Sequence, residues 1–177
     1  DYVSQPDLYY HRWNDCGWHA RSYDKKSGQE RYRNEVNEVL KRYKGGYQLS
    51  EKGEIQILPP SGLEPLVEET VKTDEPKDID DRIERAKSLF FKFDATPEDK
   101  KEAIRTLGDV LEYLKKDGIK LSNRDDRDLF QILNRFSIRH HNKLQQSDYD
   151  KEIFYDWIFY EMLASLYALL KISGKAI

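Results

Sequence analysis

Apolar residues recur at helical spacing along most of this chain and alternate with polar ones in one short stretch. Tyr32, Val36, Val39, Leu40 and Tyr43 share one helix face, so the spacing predicts a helix over 28–44, and Gly45-Gly46 supplies its stop. Two short alternating runs follow, Tyr47 to Ser50 and Glu54 to Leu58, around the turn Glu51-Lys52-Gly53. That is the pattern of a β-hairpin. A helix and a hairpin of this size need support from the rest of the chain.

From Ile79 the helical period returns. Ile79, Ile83, Ala86, Phe90 and Phe93 form one stripe, and Ala103, Ile104, Leu107, Val110, Leu111 and Leu114 form another. Thr96 before Pro97, with Glu98 and Asp99 behind it, is an N-cap with acids placed to meet the orphan amides, and Gly118 is the stop. A third helix is expected over 124–142, with Leu129, Leu133 and Phe136 facing inward, and a fourth over 151–172. The expected fold class is mainly α: an antiparallel four-helix bundle over 78–177. It is preceded in 1–58 by an irregular aromatic-rich lead-in, the helix and the hairpin. Pro59, Pro60, Gly62, Pro65 and Pro76, set among Glu and Asp, mark 59–77 as an acidic linker with room for a helical turn near Leu63 to Val71.

Composition changes this picture in three ways. The 177 residues suffice for one real core, and 36% are charged with a net charge of only -3, so a nucleic acid would have to be met by a local patch. One cysteine, Cys16, makes no intramolecular disulfide, which suits a reducing compartment and places the protein in the cytoplasm. The start at Asp1 lacks a secretory signal pattern and reads as that of a fragment or a processed chain. Ile153 to Ile172 is roughly long enough to cross a bilayer, but Asp156, Glu161 and Lys171 interrupt it. A buried helix, central to a bundle or shared with a partner subunit, is the expectation, and no membrane.

The chemistry-bearing candidate is Ile138-Arg139-His140-His141-Asn142. If the third helix runs through it, an advance of about 100° per residue leaves His140 in line with the apolar stripe and puts Arg135, Arg139 and Asn142 on one polar edge. Two arginines four apart beside an amide can clamp a phosphate, because the guanidinium fork matches its oxygens. A histidine next to them can move protons near neutral pH. Arg139, His140 and His141 are the catalytic candidates, and Arg135, Asn142, Lys143 and Gln145 are the substrate-binding ones. The structural alternative is a buried polar network in which the histidines are satisfied core residues and the arginines pair with acids such as Asp126, Asp128 or Asp150.

Other constellations carry less. His11, Cys16 and His19 match no zinc spacing, so neither metal nor cofactor is expected. Tyr9, Tyr10, Trp13, Trp18 and Tyr23 could stack on bases, but packing is the commoner use of such a cluster. No phosphate-loop or nucleophile-elbow pattern is present.

Several segments carry a family resemblance: Asn37-Glu38-Val39-Leu40, Gly45-Gly46-Tyr47-Gln48-Leu49, Asp109-Val110-Leu111-Glu112-Tyr113-Leu114, Ile138 to Asn142, and Trp157-Ile158-Phe159-Tyr160. With them the chain resembles bacterial proteins related to abortive-infection proteins, and the recurrent arginine of that group matches Arg139. The C-terminal part is also similar to HEPN domains. Arg135 and His140 fit their arginine, four residues, histidine spacing, and His141 fits the five-residue variant. The resemblance implies a homodimer through the C-terminal helices, acting in antiviral defence as a metal-independent endoribonuclease or as an RNA or nucleotide binder. A noncatalytic interaction module is the alternative.

Overall fold

The computed structural model describes residues 5–10, 12, 16–138 and 148–175. The protein is mainly helical and divides into two compact units, Asp1–Leu58 and Pro59–Ile177.

In the first unit, strands β1 (Gln5–Tyr10) and β2 (Trp18–Asp24) pair antiparallel, with Tyr10 opposite Trp18 and their rings edge to face at 5.6 Å. A hairpin therefore stands where an irregular lead-in was expected. The physical reason is a bulge: Asp7 faces Ser22 and Leu8 faces Ala20, so Arg21 is the extra residue and the period of two is broken in mid-strand. Helix α1 (Lys25–Leu40) begins directly after β2, because the Asp24 carboxylate accepts from the Ser27 amide at 3.1 Å as N-cap. Strands β3 (Tyr47–Leu49) and β4 (Ile55–Ile57) form the second hairpin, in the register Tyr47 to Ile57 and Leu49 to Ile55. Its attachment to α1 is specific. The Asn37 side chain accepts from the Leu49 amide at 2.6 Å and donates to the Leu49 carbonyl at 3.3 Å, completing the edge of β3 as a neighbouring strand would.

The second unit contains α2 (Glu64–Glu68), a π-helical turn at Pro76–Asp80, α3 (Asp81–Phe90), α4 (Pro97–Lys116), α5 (Asn123–Arg135) and α6 (Lys151–Ser173). The Thr96 capping box starts α4: Thr96 Oγ1 accepts from the Asp99 amide, and Asp99 accepts from the Thr96 amide. The core joins Ile79, Ile83 and Phe90 to Ile104, Leu107 and Leu114 of α4, Leu129 and Leu133 of α5, and Ile158, Phe159, Met162 and Leu166 of α6. Phe90 and Phe159 stack at 3.8 Å. Phe93, expected on the same stripe as Phe90, lies beyond the end of α3 and is exposed. Helix α6 is long and apolar enough to cross a membrane by length and composition. Here one face of it supplies the middle of the core, and the other, with Ile153, Trp157 and Ile172, is exposed.

The acidic, proline-containing stretch expected to be a linker belongs to this unit. Val71 and Thr73 are buried, Thr73 donates through its amide and hydroxyl to Asp80, and the Glu69 carbonyl accepts from Lys87 at 2.7 Å and Tyr167 at 3.0 Å. Glu75 accepts from both Lys175 and Tyr113, which holds its carboxyl below the usual range and raises the pKa of both donors. Proline broke the helical period, and polar side chains supplied the packing that the period could not reveal.

Candidate functional site

Helix α5 ends at Arg135, not at Asn142 as its periodicity suggested. The Phe136 amide still bonds to the Ile132 carbonyl, after which Ser137 turns into the left-handed region at φ 57°. The Ile138 amide then bonds back to Leu133 at 3.0 Å, and the Ser137 amide to Asn134 at 3.3 Å. This is a Schellman termination, sealed by burial of Ile138 and Leu133. The shared polar edge of Arg135, Arg139 and Asn142 assumed an unbroken helix, and that geometry does not apply.

Of the candidate residues, Arg135 is described. Arg139, His140, His141, Asn142, Lys143 and Gln145 lie outside the described residues. The chain on either side of them is joined by a contact between aromatic residues. Phe136 and Tyr149 meet edge to face at 5.0 Å, and the Tyr149 hydroxyl donates to the Phe136 carbonyl at 2.8 Å. Burial, then the Tyr155 hydroxyl, pushes the Tyr149 phenol well above its ordinary value, so it stays a donor. Asp150 then caps α6, accepting from the amides of Glu152 and Ile153.

Between the last turns of α5 and the first turns of α6 lies an open groove of about 570 Å³, lined by Asp128, Gln131, Ile132, Asn134, Arg135, Phe136, Phe154 and Trp157. Its floor is aromatic: Phe136 stacks on Phe154 at 5.1 Å and meets Trp157 edge to face at 6.0 Å. Trp157 is 45% exposed, on a helix whose other face lies in the core. Arg135 is exposed and makes no ion pair among the described residues. The groove thus offers a guanidinium fork, the Gln131 carboxamide and an indole face, the set that takes a phosphate, a hydrogen-bonding edge and a planar ring.

No family model, curated protein or solved structure matches this chain.

Gln131, Asn134 and Trp157 were not among the sequence candidates. The available signal was Trp157 itself, one large aromatic on a helix that reads as apolar on nearly every side. Elsewhere, Cys16 Sγ lies 3.0 Å from His19 Nε2 at an exposed position, while His11 is outside the described residues. Among the described residues no group of three His, Cys, Asp or Glu side chains is placed to hold a metal ion.

Proposed function

We propose that the protein is a HEPN-like helical protein of bacterial defence that binds RNA in the α5/α6 groove and cleaves it without a metal. One observation carries the reading. Phe136, shortly before the Arg139-His140-His141-Asn142 segment in sequence, lines the groove, and Tyr149, shortly after it, is bonded to Phe136. The groove itself contains Arg135 and an exposed indole.

In this reading Arg139 or Arg135 holds the scissile phosphate. His140 or His141 takes the proton of the ribose 2′-hydroxyl as its oxygen bonds to phosphorus. The phosphorus bond to the 5′-oxygen breaks, and that oxygen leaves with a proton from the imidazolium, giving a 2′,3′-cyclic phosphate and a 5′-hydroxyl.

The test is cleavage of single-stranded RNA by purified protein in EDTA, with end-group analysis. Cyclic-phosphate products, lost in Arg139→Ala and in a double His140→Ala/His141→Ala variant that keep the wild-type melting temperature, are expected. A wild-type protein that neither binds nor cleaves RNA overturns the reading. Binding without cleavage retains the groove and removes the chemistry.

The reading includes a second copy of the chain. What supports it is the outward stripe along the C-terminal half of α6, clear of the groove: Ala164, Ala168 and Ile172 are exposed, with Glu161 and Lys171 beside them. Antiparallel pairing of two such helices about Leu166 sets Ala164 against Ala168 of the second copy, and Glu161 against its Lys171. Small residues at the crossing and opposite charges outside it suit a second α6 of this chain.

A further inference from the structure

A second pocket, of about 360 Å³, lies on the other flank of α5 and is lined by Lys115, Lys120, Asn123, Asp126, Arg127, Phe130, Gln131 and Asn134. Gln131 and Asn134 line both pockets, so this part of α5 separates them. The charges in the second pocket sort themselves. Lys115 is committed, ion-paired with Asp126 at 2.5 Å and seated over the Phe130 ring at 4.5 Å. Lys120 and Arg127 are exposed and make no ion pair among the described residues.

We infer that the two pockets are subsites of one crossing: a single-stranded oligonucleotide lies across α5, with one phosphate at Arg135 beside Trp157 and a later phosphate at Lys120 and Arg127. This rests on the proposed RNA-binding reading and adds to it a second phosphate subsite. The span is set by the helix, about 10 Å across with its side chains, which a mononucleotide cannot bridge and a short strand can. The Gln131 carboxamide carries a donor and an acceptor, which suits a base edge passing over it. A single strand fits better than a duplex, because an exposed indole stacks only on an unpaired base. An acidic peptide fits less well. Asp128 stands unpaired among the described residues in the first groove, where it repels carboxylates and accepts from ribose hydroxyls.

The experiment measures binding of the full chain to three probes: a five-nucleotide 2′-O-methyl RNA, which cannot be cleaved through its own 2′-hydroxyl, adenosine monophosphate, and hexaglutamate. The pentamer is expected to bind wild type at least about tenfold more tightly than the mononucleotide. A Lys120→Ala/Arg127→Ala variant should lose about tenfold for the pentamer and nothing for the mononucleotide, whereas Arg135→Ala weakens both. Pentamer affinity of the double variant should also depend less steeply on salt, by about 0.7 in the log–log slope for each phosphate that is no longer neutralised. All these side chains are exposed, and circular dichroism checks that the variants fold. Unchanged pentamer binding in the double variant, with Arg135→Ala impaired, overturns the second subsite and leaves the first. Hexaglutamate binding as tightly as the pentamer overturns the nucleic-acid assignment. No binding of either nucleotide probe by wild type removes the RNA reading itself.

Discussion

The Tyr149 hydroxyl donates to the Phe136 carbonyl at 2.8 Å, and the two rings meet edge to face at 5.0 Å. This contact closes the chain on itself around the residues with candidate chemistry. Tyr149→Phe keeps the ring and removes the hydrogen bond, and should cost about 1 kcal/mol in urea unfolding. Tyr149→Ala, which also removes the ring packed on Phe136 and Phe154, should cost about 3 kcal/mol. If the contact positions the segment, Tyr149→Phe also lowers RNA cleavage at temperatures where the fold is intact.

Ser137 turns the chain at the end of α5 with φ 57°, a conformation that disfavours side chains carrying Cβ. Comparing Ser137→Gly with Ser137→Ala removes the hydroxyl in both and isolates the backbone. Glycine should be the more stable by about 1 kcal/mol, read from the urea midpoint. Equal stability would mean that the turn is made differently.

These two positions show where the sequence was legible and where it was not. The caps of α4 and the stripes of α3 and α4 are local patterns, and Thr96, Pro97 and Asp99 do in the structure what their order suggests. The β3/β4 hairpin is equally local. The end of α5 was hidden because its stop is a serine in a glycine-like conformation, so the period appeared to run on through His140. The first hairpin was hidden by the bulge at Arg21. The groove was hidden for a different reason. Arg135 is visible in the sequence, but its neighbours Trp157 and Phe154 come from another helix, and only the packing of Phe136 on Phe154 brings them together.

The Glu69 carbonyl has two side-chain donors, Lys87 and Tyr167, and so tests how the proline-containing stretch is held. Lys87→Met and Tyr167→Phe each leave one donor in place and should cost about 1 kcal/mol apiece. Together they leave a carbonyl without a side-chain donor. The double variant should therefore exceed the sum of the singles by about 1 kcal/mol in equilibrium unfolding. Additivity would show that the stretch re-pairs on its own.

Alkaline pH tests the same tyrosines. Burial raises the phenols of Tyr149 and Tyr167 above their ordinary value. An unfolded tyrosine ionises near 10, so above that pH the unfolded chain releases protons that the folded one retains. Stability is thus fully present below about 10 and falls as pH rises further. Urea midpoints measured from neutral pH upward should show this fall, and Tyr149→Phe/Tyr167→Phe should flatten it.

The outward face of α6 gives the test of assembly. Antiparallel pairing about Leu166 places Glu161 of each copy opposite Lys171 of the other, giving two equivalent pairs in the dimer. Lys171 is 67% exposed and 3.4 Å from Glu69, an ion pair weak enough to leave it available to the second copy. Glu161→Lys turns both contacts repulsive and should weaken the dimer about tenfold, from roughly 0.5–1 kcal/mol at each exposed pair. The double variant Glu161→Lys/Lys171→Glu restores opposite charges and should restore the dimer. Ala164→Arg, which places a long side chain where the helices cross, should abolish it without lowering the melting temperature of the monomer. Light scattering after size exclusion reads all three. A wild-type protein that stays monomeric at high concentration, or a charge reversal that fails to rescue, overturns this arrangement.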